Sequence, residues 1–332
     1  MAKMAEHGGN LDSAEKAYGF APGEMTDIST GIAPFAYDVA MPRSSFYQPL
    51  PLDRDLEDLY QAARGAYLMP DNAAICAGSG SQTLIGALPQ MVPEKSYVWC
   101  PEPTYNEHCY RWEKAGHHVD GGAVCPKEAG VIILGQPNNP TGHIWSQEAI
   151  LGYLEAMRKK QGLLIIDEAF ADAMPEVSAM GLAGDERLVI LRSLGKFYGL
   201  AGLRVGFAIG GAQRIAALSD DIGPWPVSQP AIDVARGALR DTSWQERQRT
   251  ALYKRAQDMA DCLQEAGFTI LAKMPLFVTI LHDDVTGFHD YLARHGFWTR
   301  IYQKNEKMMR LGLIGDRALF ERFAHLVAQW QK

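Results

Sequence analysis

The chain has 332 residues, 47% of them hydrophobic, with five cysteines and a formal net charge of −7 at pH 7. This is enough apolar material for a large core and a smaller second one. The acidic balance argues against a nucleic-acid partner, which needs a broad basic surface, and no run of about 18 apolar residues calls for a membrane.

The opening, MAKMAEHGGNLDSAEKAYG, lacks the apolar centre of a signal peptide, so a cytoplasmic protein is expected. Leu52, Leu56, Leu59, Tyr60 and Ala63 recur at helical spacing, with Asp53 as the expected cap. From about residue 70 to 210, short apolar runs alternate with amphipathic segments, which predicts an α/β sheet covered by helices. The strand candidates are Ala73–Ala77, Tyr97–Cys100, Val131–Leu134, Leu163–Ile166, Leu188–Leu191 and Val205–Ile209. Ser146 reads as the N-cap of a helix that turns Ile150, Leu151 and Leu154 inward and closes at Lys159, Lys160 and Gly162. Past the stretch IGPWPVSQP the pattern changes to one long helix, about Thr242 to Ala266, and then to strands and helices of a smaller α+β unit. The expected organisation is an arm over residues 1–45, a large domain over 46–224 and a small domain over 225–332. Cys76, Cys100, Cys109, Cys125 and Cys262 show neither a C-x-x-C pair nor zinc-ligand spacing, so reduced thiols and no metal site are expected.

Four elements at strand ends carry the chemistry, because ligands of open α/β sheets collect there. The turn AGSGSQT brings Gly80, Ser81 and Gln82 to a helix start, where free amides can meet a phosphate; taken alone it is also an ordinary tight turn. The stiff loop GQPNNPTG can hold the amide of Asn139 at a fixed point. In GLLIIDEAF, Asp167 ends a buried strand, and an unpaired carboxylate there would cost several kcal/mol, so a cationic partner is required. In LRSLGKFYGLAGLRVGF, Lys196 offers an amine that enclosure can activate, while Ser193 and Arg204 can bind a phosphate.

In this order and spacing the four elements resemble the pyridoxal-phosphate enzymes of fold type I, the class I/II aminotransferase family. The resemblance runs from HGGN near the start to MMRLGL near the end. It implies an aspartate-aminotransferase-like α/β fold, with a large, mainly parallel sheet sandwiched by helices and a smaller α+β domain. It also implies pyridoxal 5'-phosphate as cofactor, with Lys196 forming the Schiff base and Asp167 pairing the pyridine nitrogen. Asn139 would contact the ring hydroxyl and Tyr105, in PEPTYNEH, would stack on the ring. Gly80, Ser81, Gln82, Ser193 and Arg204 would hold the cofactor phosphate. Arg310 matches the arginine that binds a substrate carboxylate, and Arg300 and His7 are candidates for a substrate phosphate.

Phe170 stands where many family members carry a tyrosine. With HGGN, DISTGIAPF, DEAFAD and KFYGLAGLRVGF, it makes the chain look like the branch that decarboxylates L-threonine O-3-phosphate in cobalamin biosynthesis. Ala33 departs from that pattern, where an asparagine is expected. The alternative is an aminotransferase acting on histidinol phosphate or an amino acid. Family members usually pair as homodimers, in which Tyr47 is a candidate to reach across to the other subunit's cofactor. His108, three residues past Tyr105, is read as structural.

Overall fold

The computed structural model describes residues 8–39, 48–92, 94–302 and 305–330; His7 and Tyr47 lie outside them. The first elements are α1 (Leu11–Tyr18), β1 (Thr26–Asp27), α2 (Asp53–Tyr67), β2 (Ala74–Ser79), α3 (Ser81–Ala87), β3 (Tyr97–Trp99), α4 (Asn106–Lys114), β4 (His118–Asp120) and β5 (Val131–Gly135). Then come α5 (Gln147–Lys160), β6 (Leu163–Asp167), β7 (Leu188–Ser193), β8 (Val205–Gly210), α6 (Ala212–Ile222), α7 (Gln229–Arg240) and α8 (Thr242–Glu265). The rest are β9 (Thr269–Met274), β10 (Phe277–Leu281), α9 (Val285–Arg294), β11 (Phe297–Trp298), β12 (Arg300–Tyr302), β13 (Asn305–Gly312) and α10 (Arg317–Trp330). Two compact units emerge: residues 36–139 with 143–246, and residues 1–35 with 140–142 and 247–332.

The first unit is built on a seven-stranded sheet in the order β2-β8-β7-β6-β5-β3-β4. Strand β8 runs antiparallel to both its neighbours, and the other pairs are parallel. The central strands read VIILG, LLIID and LVILRS because a parallel sheet is covered on both faces, so every position must be apolar rather than every second one. Their side chains pack with Leu84, Leu88, Trp112 and Leu218 from the covering helices in one core. All six expected strands form within one or two residues of their expected limits.

Two local expectations are corrected. Asp53 is the first helical residue of α2 rather than its cap, and the carboxylate of Asp55 accepts from the Leu52 amide at 3.2 Å. In α5 the inward stripe is Ile150, Leu154 and Met157, while Leu151 is exposed. Positions four and seven residues on from Ile150 stay on its face, whereas the next residue turns away. The Ser146 cap is as expected, accepting from the Ala149 amide at 3.1 Å.

The second unit holds an antiparallel sheet in the order β12-β13-β10-β9, with β1 pairing β11. Its opening segment packs on Ser29: the Gly9 amide donates to Ser29 Oγ at 2.7 Å, and the Gly312 amide donates to the Ile28 carbonyl at 2.7 Å. Thus GGN (residues 8–10), DISTG and MMRLGL, which are separated in sequence, meet in one place.

One contact in the large sheet decides whether the first strand-end turn keeps its shape. A Cβ on Gly206 would lie 2.3 Å from the Ser81 amide nitrogen and 2.8 Å from the Gly80 carbonyl carbon, both backbone atoms that cannot rotate away. Gly206→Ala is therefore expected to cost about 1–3 kcal/mol in urea denaturation, as overpacking does; a change within error would show that the turn yields.

Candidate active site

The strand directions bring the four elements to one edge. Strands β2, β3, β5, β6 and β7 end on this side, and β8, being antiparallel, begins there. One cavity at that edge is lined by Ser81, Gln82, Tyr105, Asn139, Asp167, Ser193, Lys196 and Arg204, together with Thr104, His108 and Phe170. Every cofactor-contact candidate among the described residues except Gly80 lines it. Gly80 lies against it: at φ 77° it has no Cβ, and one placed there would fall 2.3 Å from Arg204 Nη2. Arg204 itself takes the left-handed conformation at φ 59°, which turns the chain from its loop into β8.

Asp167, at the end of β6, is the most constrained group. Its Oδ2 lies 2.8 Å from His108 Nε2, and its Oδ1 accepts from the Ala169 amide at 2.9 Å. Burial pushes its carboxyl up, but His108, the Ala169 amide and the nearby Lys196 more than offset this and hold it below its usual value. His108 thus gives this buried carboxylate a hydrogen-bond partner from α4. A signal for it was present, since on a helix the third residue after Tyr105 shares its face. The rings of Tyr105 and His108 meet edge-on, with centroids 5.9 Å apart.

Lys196 is carried on a braced loop. The Leu194 amide donates to Val205 at 3.1 Å and the Gly199 amide donates to Lys196 at 3.2 Å. The next two side chains, Phe197 and Tyr198, are fully buried, with Tyr198 stacked on Trp244 at 5.7 Å. The Lys196 Nζ sits 5.6 Å from the centre of the Phe170 ring, within reach of its negative face.

On the other face of these strands, Arg192 lies 3.3 Å from Glu168 and 3.5 Å from Asp172, all buried. Ser178 Oγ and the Ala179 amide each donate to Glu168 at 2.6 Å. Since neighbouring residues in a strand point to opposite faces, this cluster ties down the backbone that presents Asp167 and Ser193 to the cavity.

In the other unit, the register of β12 with β13 sets Arg300 directly opposite Arg310. Like charges in that relation repel. Buried Arg310 donates to the Ser29 carbonyl and stacks 5.6 Å from the centre of the Phe277 ring. Among the described residues no group of His, Cys, Asp or Glu is placed to hold a metal, and no helix is long and apolar enough to cross a membrane.

Residues 36–310 match the family described as aminotransferase class I and II, and the chain belongs to that family. It is 35% identical to a threonine-phosphate decarboxylase of Pseudomonas aeruginosa over 96% of both chains, and 32% identical to one of a Sinorhizobium species over the full length of both. A histidinol-phosphate aminotransferase of Sodalis glossinidius matches at 33% identity over 53% of this chain and 52% of its own. Among solved structures, the histidinol-phosphate aminotransferase of Sinorhizobium meliloti, in complex with pyridoxal-5'-phosphate, superposes with a TM-score of 0.80 at 19% identity, covering 99% of this chain and 94% of that one. The fold is that of the type I pyridoxal-phosphate enzymes.

The pairing of Asp167 carries a pH signature. Because its folded pKa lies below 3.8, it adds stability above pH 3.8 that is lost as pH falls through the lowered value. His108→Leu leaves this carboxylate buried without its main partner and is expected to cost about 1–3 kcal/mol at pH 7. In urea denaturation the gap to the parent should narrow below pH 3.8; a gap independent of pH would mean that lost packing, not the carboxylate, sets it.

Proposed function

We propose that the chain decarboxylates L-threonine O-3-phosphate to 1-aminopropan-2-ol O-2-phosphate in cobalamin biosynthesis, with pyridoxal 5'-phosphate as cofactor. The observation that carries this reading is the single cavity that unites an amine, an ionised buried carboxylate and a guanidinium-and-hydroxyl cradle: Lys196, Asp167, and Arg204 with Ser81 and Ser193. The relatives favour the decarboxylase over the aminotransferase, since those named for it match end to end while the Sodalis aminotransferase matches about half the chain.

The residues suit the cofactor. The Arg204 guanidinium, seated over the Cβ-free Gly80, would hold its phosphate with Ser81, Gln82 and Ser193. The amide of Asn139 would take the ring hydroxyl and Tyr105 would cover the ring face. Asp167, kept ionised, would stabilise a protonated pyridine nitrogen. When bound, the cofactor supplies an aldehyde that captures amines and a ring that withdraws electrons from the substrate Cα.

In the net reaction the Cα–carboxylate bond breaks, carbon dioxide leaves and Cα takes up one proton. Lys196 would be the amine that receives the cofactor's aldehyde, and its Nζ can hold and return a proton. Loss of carboxylate rather than the Cα proton depends on how fixed cations hold the substrate's anionic groups. We assign that task to Arg310 and Arg300, which face each other across β12 and β13, with His7 a further candidate from sequence. We further propose, from the family resemblance, that the chain works as a homodimer in the cytoplasm.

Carbon dioxide release from L-threonine O-3-phosphate by cofactor-loaded protein, without a keto acid present, tests the reading. Release with the amino-alcohol phosphate is expected. Silence there, with amino transfer once 2-oxoglutarate is supplied, would contradict it and favour the aminotransferase. Arg310→Gln is expected to raise KM for the phosphorylated substrate about tenfold or more, the loss of a charged hydrogen bond of about 1.5–3 kcal/mol; an unchanged KM removes Arg310 from the substrate site.

A further inference from the structure

A row of hydrogen bonds leaves the cavity through Tyr105. Its hydroxyl lies 3.1 Å from Gln82 Oε1, Gln82 Nε2 bonds Glu107 Oε2, and the same oxygen receives Arg111 Nε at 2.8 Å. Glu107 is 3% exposed and Arg111 emerges toward solvent on the same helix, α4. With Glu107 as the carboxylate that Arg111 pairs, the row runs in one direction. A carboxylate paired with a guanidinium only accepts, so Gln82 must turn its NH2 toward Glu107. The Gln82 carbonyl then faces Tyr105, and a carbonyl only accepts, so the phenol must donate. A phenol has a single proton, and here it is committed to Gln82 in the cavity wall rather than to a ligand.

We propose that Glu107 is a positioning residue that, through Gln82, fixes the direction of the Tyr105 hydroxyl proton, so that Tyr105 meets its ligand as a neutral phenol able to accept a hydrogen bond but not to donate one. The consequence for mechanism deepens the reading of the cavity as a cofactor site, on which it rests. Tyr105 does not supply the proton that Cα takes up, which leaves Lys196 as the nearer source. Two further features agree. Burial, then the charges of Glu107 and Asp167, push the Tyr105 hydroxyl up to about 12, so it stays protonated in the working range. The edge-on contact with His108 holds the ring from its other side, so the row sets the hydroxyl proton rather than the ring plane.

The test uses the full chain carrying tyrosine labelled with 13C at Cζ, with the Tyr105 signal identified by its loss in Tyr105→Phe. In Glu107→Gln the amide at 82 can present either end, so the Tyr105 signal should move or split, and its pKa should fall as the nearby negative charge is removed. Gln82→Leu should displace the signal in the same way, which keeps the test open if Glu107→Gln fails to fold. In cofactor-loaded Glu107→Gln, the circular dichroism of the bound chromophore should change, and kcat should fall more than KM rises. A Tyr105 signal and ionisation unchanged in both variants would overturn the proposal while leaving the cofactor site standing. Failure to bind pyridoxal phosphate at all would instead remove the site reading, and the resonance of the unliganded protein would still decide the direction of the proton.

Discussion

A carboxylate at the inner end of a buried parallel strand is the constraint around which this molecule is arranged. Left alone, Asp167 would be neutral or ruinous to stability, because charge without a partner is costly in an apolar interior. It stays ionised because α4 brings His108 against it and the turn after β6 supplies the Ala169 amide. That arrangement fixes where α4 lies, and with it Tyr105 and the row through Gln82 to Glu107. On the reverse face, the Arg192 cluster with Glu168 and Asp172 prevents the same strand ends from shifting. The strand ends that line the cavity are therefore tied from both faces, with the Asp167 carboxylate already held by protein groups, as electrostatic preorganisation requires.

Sheet topology does the rest. Only β8 reverses direction, and the reversal lets the loop after β7 deliver Lys196 and then Arg204 to the same edge within one crossing. Gly80 and Gly206 carry no side chain because guanidinium and backbone fill the space where a Cβ would stand. Function thus accounts for residues that propensity alone would disfavour, such as the left-handed Arg204.

Much of this was legible in the sequence, and the reasons can be given residue by residue. The strands VIIL and LLII are uninterrupted apolar runs that only a doubly covered sheet explains, and GSGSQT, QPNNP, DEAF and SLGK sit at their ends, where a sheet gathers its loops. The role of His108 was legible only in part: its spacing puts it on the face of Tyr105, but nothing in the sequence marks Asp167 as the group that lies opposite. The Glu107 row was hidden for the same reason: three of its members lie on α4 or at its start and the fourth on α3, and only packing brings them together. Leu151 misled because an apolar residue beside a buried one can still face water, and Asp53 because Asp55 suits the cap better. The pairing of Arg300 with Arg310 depends on strand register, which the sequence of the two strands does not declare in advance.

The account stands on one claim above the others: that these strand-end loops make a single amine-bearing cofactor site with Lys196 as its amine. Borohydride reduction of the cofactor-loaded protein, followed by digestion and peptide mass mapping, tests it most directly. The account predicts one pyridoxyl group per chain, carried by the peptide that contains Lys196. A pyridoxyl group on another lysine, or spread among surface lysines with Lys196 unmodified, would contradict it.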